Sequence, residues 1–401
     1  MSVCHGVSSL SNADDSTDHE CDISGLLETL GRVTDRRSRR GRVYGLVFLL
    51  AASLVAVLAG ATNFRQISDQ IADIPQSLLA KLGAKWCYFR GVFGWPSERT
   101  IRRVLENIDA DEFDRAVGAW LCKNARGDGS GGLVLAIDGK VLRGAWTEEN
   151  ETFTLFSAMI HGAGVTVAQV AVPADTKEAT QVEALLKTIP VEAEESVVVT
   201  MDAAHTQRDT AEYLKGKRGF DYIMTVKANR APLLNSVFAT IVPALQNAPD
   251  HVVEERGHGR IKQWETWTID AAGIDFPHIQ QLACIRRDEF TLGGARISKE
   301  YAWIVTSSDT ATAVDIHTHV RQHWGIENKS HHVRDTTWHE DAQQTYTGSG
   351  PQVMATFRNA AASLLRLNNF SSIKKTTEWI ARDRNRALPL LATQSHRRNP
   401  Q

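Results

Sequence analysis

The sequence predicts an α/β protein with an all-helical N-terminal domain, on three observations. From Leu133 onward, three strand-like apolar runs stand side by side and are followed by helix, strand, helix and strand. Residues 23–126 carry helical apolar spacing. Between the two regions lies the Gly-rich stretch GDGSGG, residues 127–132, which has linker composition. A chain of 401 residues, 42% hydrophobic and 23% charged, is long enough for two or three domains with a real core.

A net charge of −2 excludes a uniformly basic nucleic-acid coat, but the charge is unevenly spread. Six acids (Asp14, Asp15, Asp18, Glu20, Asp22, Glu28) precede Arg32, with no Lys or Arg among them. Arg32, Arg36, Arg37, Arg39, Arg40 and Arg42 then crowd together; such a block suits a phosphate backbone or a solvated linker equally. The five cysteines are scattered without CxxC spacing, which fits reduced thiols in the cytoplasm and gives no zinc signature. The first thirty residues are polar and acidic, unlike a signal peptide.

Residues 1–22 read as a disordered acidic tail. Leu26, Leu27 and Leu30 begin a short amphipathic helix. Residues 44–61 are the most apolar run, near the ~18 residues a membrane span needs. Gly45, Ser53, Gly60 and the alanines within it favour a buried central helix instead. Residues 64–82 continue helically, and residues 86–95 (WCYFRGVFGW) form an aromatic loop. Ser97 or Thr100 can cap the next helix, which carries Arg99, Arg102 and Arg103 on one side. That placement suits a DNA-recognition helix or a solvated amphipathic one. Residues 111–123 close the helical region.

In the α/β region, strands are predicted at 133–137, 153–160 and 165–172, a helix at 178–189, a strand at 196–201, a helix at 209–217 and a strand at 221–226. This order matches a ribonuclease-H-like fold, in which Asp138 sits on the first strand and Asp202 ends the fourth, adjacent in space. Residues 230–310 read as a β-rich insertion, with a Gly-flanked turn at His258-Gly259-Arg260 able to present a cation to phosphate. A helix follows over 353–367. Residues 371–401 read as a basic C-terminal tail, with Lys374, Lys375, Arg382, Arg384, Arg386, Arg397 and Arg398.

The richest stretch is residues 319–341 (HVRQHWGIENKSHHVRDTTWHED), which gathers cations and aromatics around Glu327. Asp138, Asp202 and Glu327, on separate elements, are the raw material for a two-metal phosphoryl-transfer site. Arg321, Lys329 or Arg334 would hold the strand being cut. Six histidines lie in or just before this stretch (His317, His319, His323, His331, His332, His339), read as hydrogen-bonding neighbours. The i, i+4 pair His319 and His323 also allows zinc, and Asp335, Glu340 and Asp341 are rivals to Glu327 as third carboxylate.

These residues bring out a resemblance. Ala136-Ile137-Asp138-Gly139-Lys140-Val141-Leu142-Arg143-Gly144, Thr200-Met201-Asp202-Ala203-Ala204-His205-Thr206-Gln207, Asp221-Tyr222 with Lys227-Ala228-Asn229, and Arg321-Gln322-His323-Trp324-Gly325-Ile326-Glu327-Asn328 occur in that order. Asp35-Arg36-Arg37, Ala59-Gly60-Ala61, residues 96–103 (PSERTIRR) and Glu340-Asp341 match as well. Over about residues 25–390 the chain resembles insertion-sequence transposases of the ISAs1 group, including H-repeat-associated proteins, within the IS4-like DDE class. It departs from the group at His332, where Trp is usual, at Arg334, near where relatives place Lys, and at Lys262, where Glu is usual.

The resemblance implies a catalytic domain over 133–370 with Asp138, Asp202 and Glu327 as the triad. The triad would hold two Mg2+ ions, with Mn2+ as an alternative. It implies cleavage and strand transfer at terminal inverted repeats and a homodimer on DNA. Lys140, Arg143, Arg260, Arg321, Lys329 and Arg334 would serve as DNA contacts, with Arg36, Arg37, Arg99, Arg102 and Arg103 from the helical domain. A cytoplasmic, nucleoid-associated protein without a membrane segment is expected. The alternatives are an inactive transposase-derived DNA-binding protein and a ribonuclease-H-like nuclease without strand transfer.

Overall fold

The chain is described from a computed structural model over residues 21–40, 42–126, 132–146, 152–173, 176–192, 195–344 and 346–392. Most of the acidic N-terminal stretch, most of the Gly-rich linker, and Arg397 and Arg398 lie outside these residues.

The N-terminal region begins with α1 (Ser24–Gly31) and α2 (Leu46–Leu58), followed by α3 (Phe64–Ala72) and α4 (Gln76–Lys81). It is not all helical. β1 (Trp86–Cys87) pairs antiparallel with β2 (Val92–Phe93) before α5 (Glu98–Leu105) and α6 (Ala110–Arg126). Two-residue strands are too short to register as a period-2 pattern. The apolar run at 44–61 becomes α2, buried along nearly its whole length. At 1.5 Å per residue its 13 residues reach about 20 Å, short of a ~30 Å hydrocarbon layer. Among the described residues no helix is long and apolar enough to cross a membrane.

Next come β3 (Leu133–Trp146), β4 (Thr152–Ile160) and β5 (Val165–Val172), then α7 (Val182–Lys187) and β6 (Val197–Met201). α8 (Arg208–Ala211), extended by a π turn at Glu212–Lys217, leads into β7 (Asp221–Val226). α9 (Ala231–Ile241) precedes β8 (His251–Gly257), β9 (Arg260–Asp270), β10 (Gln281–Thr291) and β11 (Arg296–Thr306). The last part holds α10 (Ala313–His323), α11 (His332–Trp338), α12 (Gly350–Leu367), α13 (Ile373–Arg382) and α14 (Leu388–Leu391).

Nine strands form one sheet in the order β5-β4-β3-β6-β7-β11-β10-β9-β8. β3, β4 and β5 are antiparallel neighbours, while β6 runs parallel to β3, and β7 to β6. The first five strands therefore take the order 3-2-1-4-5 expected of a ribonuclease-H-like core. The β-rich insertion extends this sheet: β11 pairs antiparallel with β7, from Trp303 opposite Val226 to Thr306 opposite Ile223. The insertion also contains the helix α9.

A single hydrophobic cluster runs from Ile23 in the helical region, through the sheet, to Leu391. The side chain of Trp338, fully buried, donates from Nε1 to the carbonyl of Val57 at the end of α2, 2.9 Å away. α12 is buried along most of its length and packs on α2, α6 and β5. α6 lies so close on β5 that a Cβ at Gly118 would come within 2.2 Å of the Val167 carbonyl oxygen. Gly118→Ala is expected to lose about 1–3 kcal/mol of stability by forcing these backbones apart, measurable by chemical denaturation. The segment that reads as a basic tail is packed helix through Leu391: Ile373, Ile380, Leu390 and Leu391 are buried.

Candidate active site

β3 passes through the middle of the sheet and carries Asp138 opposite Ser157 of β4. Side chains alternate along a strand. Leu135 and Ile137 enter the large cluster, while Ala136 packs with Met159 and Ile326 on the other side. Asp138 and Lys140 thus share the face of Ala136, the one covered by the segment after α10. Met201 lies opposite Ile137 across the parallel ladder, so the next residue, Asp202, leaves β6 beside Asp138. Its Oδ1 accepts the Ala204 N–H at 2.9 Å, a local turn that an Asp at a strand end readily makes.

Glu327 arrives by a different route. α10 starts with a capping box between Thr312 and Asp315 and runs to His323. The chain then widens into a π turn at Ile326–His331 before resuming as α11. A π turn takes an extra residue and re-aims its side chains. Here Ile326 packs on Ala136 and Met159, and Glu327 and His331, one turn apart, meet Asp138.

The ligating atoms of Asp138, Glu327 and His331 all lie within 4.8 Å of one another. His331 Nδ1 is 2.9 Å from Glu327 Oε2 and 3.8 Å from Asp138 Oδ2, and its ring is buried. Burial pushes the Asp138 carboxyl up to about 6; nearby His331 and the Gly139 backbone oppose this, and Asp202 adds to it. The hydrogen bond from His331 holds Glu327 below its ordinary value, against the effect of burial. Two carboxylates and an imidazole, one carboxylate costly to ionise without a cation, are a donor set that fits a divalent metal.

Asp202 is close enough to act on Asp138 electrostatically but is not in that group of three. Its half-exposed carboxylate lies 3.8 Å from Nε2 of the buried His205, which also sits 3.2 Å from Glu178 Oε2. The predicted triad therefore appears as a pair with Asp202 alongside, and His331 takes the third place. The sequence signal for His331 is its i+4 spacing from Glu327, hidden because it is one of six histidines close together. His323 is turned away, its Nδ1 2.9 Å from Thr200 Oγ1, and burial lowers it to about 4. Neither His319 nor His323 belongs to the ligand group found among the described residues.

The predicted DNA contacts fall into three kinds. Arg99, Arg103 and Lys329 are exposed, and Arg143, 81% exposed at its side chain, lies 3.8 Å from Asp341. Several others are exposed or half-buried but held by acids: Arg321 by both oxygens of Glu255, Arg260 by Glu289, Arg102 by Glu98, Arg36 by Asp109 and Arg37 by Asp35. Lys140 is buried, its Nζ 2.7 Å from Asp335 and 3.2 Å from Asp341.

Arg334 corrects the sequence reading. Its guanidinium is wholly buried, bonded to Glu340 at 2.6 and 2.8 Å and to Asn359 at 3.0 Å, where phosphate has no access. Glu340 is likewise buried, between Arg334 and Arg358, and is no rival to Glu327. Asp335 and Asp341 are taken up by Lys140.

A family model described as "Transposase DDE domain" matches residues 129–365, and one described as "DDE_Tnp_1-associated" matches residues 27–121. The chain belongs to the DDE transposase family. The matched DDE domain contains Asp138, Asp202 and Glu327, and the family's ribonuclease-H-like fold agrees with the strand order above. Among relatives of this DDE transposase, "Putative transposase YncI" of Escherichia coli O157:H7 is 25% identical over 365 residues, covering 86% of this chain and 88% of the relative. "H repeat-associated putative transposase YhhI" of Escherichia coli K12 is 24% identical over 387 residues, covering 92% and 98%.

Proposed function

We propose that this chain is a transposase of the ISAs1 group that cuts DNA at the terminal inverted repeats of an insertion sequence and joins the freed end to a target. The observation that carries this reading is the meeting of Asp138 and Glu327, from opposite ends of the catalytic domain, with His331 between them and Asp202 on the adjoining strand. Asp138, Glu327 and His331 would hold a divalent cation, with Asp202 available to a second; two Mg2+ ions, or Mn2+, would activate the attacking oxygen and stabilise the leaving one.

The protein groups have separable tasks. Before a cation enters, His331 keeps Glu327 charged and turned toward Asp138. Lys140 holds Asp335 and Asp341 together against β3, fixing the segment after the π turn over the site. Lys329 and Arg143, exposed and on elements that carry the site, would receive the backbone of the strand being cut. Arg99 and Arg103 would make further backbone contacts from the helical region. Two DNA ends require two such sites, so a homodimer on DNA is expected.

The test uses purified protein and a duplex carrying the end of the element with its flanking DNA, in the presence of Mg2+. Wild type should nick at the boundary. Asp138→Ala, Asp202→Ala and Glu327→Ala should each lose about a thousandfold or more in rate while still binding the duplex, a loss comparable to removing one charge-stabilising group from a catalytic site. Binding without cleavage by wild type would overturn the enzymatic reading in favour of a DNA-binding remnant. Cleavage without joining would leave a nuclease.

A further inference from the structure

The β1–β2 hairpin ends in two aromatic side chains that the catalytic reading does not use. Tyr88 is 89% exposed and Phe89 104% exposed, side by side at the tip. Aromatic rings contribute most when buried, so two neighbours held in water invite a partner.

The tip is built to stay in place. Arg90 N–H and Gly91 N–H both donate to the Cys87 carbonyl, at 3.1 and 2.9 Å. Gly91 takes φ +61°, a left-handed position that glycine adopts without strain. At the base, Trp86 meets Phe93 edge-on with ring centres 5.0 Å apart, and Phe93 N–H donates to Gln76 Oε1 at 2.6 Å. Tyr44 Oη donates to the Trp95 carbonyl at 2.6 Å, tying the following residues to the start of α2. A prearranged pair of rings loses little freedom on binding.

Charge decides between occupants. From Ile74 to Ser97 the chain has Lys81, Lys85 and Arg90 and no acidic residue. A second copy docking through the same hairpin in a two-fold contact would set like charges against like. A polyanion with stackable rings is matched on both counts.

We propose that Tyr88 and Phe89 form a wedge that inserts at a base step of the DNA, unstacking it, while Lys85 and Arg90 grip the flanking phosphates. Apolar wedges of this kind open a base step and kink the duplex, and ring-on-base stacking tolerates any sequence. The wedge rests on the proposed action on DNA and locates a contact outside the catalytic groups.

The experiment places 2-aminopurine at successive positions in a duplex of the DNA flanking the gene and titrates in full-length protein without metal. Wild type should raise the fluorescence at one step by unstacking it. Phe89→Ala should abolish the rise and weaken binding about tenfold, and Phe89→Trp should restore both. Because Phe89 is fully exposed, the thermal midpoint of the Ala variant should match wild type. Equal affinity and an equal fluorescence rise in Phe89→Ala would overturn the wedge and leave the transposase reading standing. Failure of wild type to bind any duplex would overturn both. Self-association without DNA that Phe89→Ala abolishes would assign the tip to a second copy and overturn the wedge.

Discussion

Glu340→Ala should destabilise the protein by about 3–5 kcal/mol, one of the largest losses from any single side chain outside the apolar core. Glu340 lies between two buried guanidiniums, with Oε2 2.6 Å from Arg334 and Oε1 2.9 Å from Arg358. Burial would raise its carboxyl, but Arg334 and Arg358 outweigh burial and hold it below its ordinary value. Truncation leaves two positive charges with, among the described residues, Asn359 and the Thr62 carbonyl as their remaining acceptors. Replacing all three charges by apolar residues of similar volume should cost far less, since the penalty lies in the unpaired charges. Denaturant titration of the single and triple variants checks this. A loss under about 1 kcal/mol for Glu340→Ala would mean that water reaches the triad.

Asp138→Asn should do the opposite to stability while destroying the site. The folded-state value of Asp138 is raised from 3.8 to about 6. Between those values the folded protein holds a proton that the unfolded chain has released, so wild-type stability falls as pH rises through this window and stays lower above it. A shift of that size corresponds to about 3 kcal/mol, an upper figure for a partly exposed group. In metal-free buffer near pH 8 the Asn variant should therefore be more stable than wild type, with the gap closing below about pH 4. Saturating Mg2+ or Mn2+ should stabilise wild type, by about 2.7 kcal/mol at a hundred times Kd, and leave the Asp138→Asn variant unmoved. Thermal unfolding with and without metal across pH reads both effects. An Asn variant less stable at every pH would show that the carboxylate is bound by structure rather than strained by burial.

The parts of the fold visible in the sequence were those with local signals. The runs at 133–137, 153–160, 165–172, 196–201 and 221–226 announce strands, and their order with the intervening helices gives the first five strands of the sheet. The attachment of β11 to β7 carried no such sign, because pairing between strands about eighty residues apart depends on edges meeting in space. The basic C-terminal segment shows its charge in the sequence more plainly than its packing. Ile373, Thr377 and Ile380 fall at i, i+4 and i+7, a buried stripe that outweighs the lysines between them.

At the site, Asp138 and Asp202 were legible as acids following apolar strands, and Glu327 from the motif around it. What could not be read was which neighbours faced it. A charged residue in sequence defaults to the surface, and only the fold shows Arg334 turned inward to Glu340 while Lys329 stays exposed. The selection of His331 depends on the π turn, which shifts the facing of every residue after Gly325 and has no composition of its own.

The burial of α2 has a consequence for synthesis. This apolar helix packs against α12 and α13, encoded almost three hundred residues later, as well as against its nearer neighbours α1 and α3. At roughly 5–20 residues per second, the ribosome needs about 15–60 s to go from Leu58 to Gly350. Throughout that interval the nascent chain displays a greasy segment near its beginning with its final partners unmade. A copy of the gene that has lost its 3′ end would never make those partners, and its product would remain a client of chaperones and proteases.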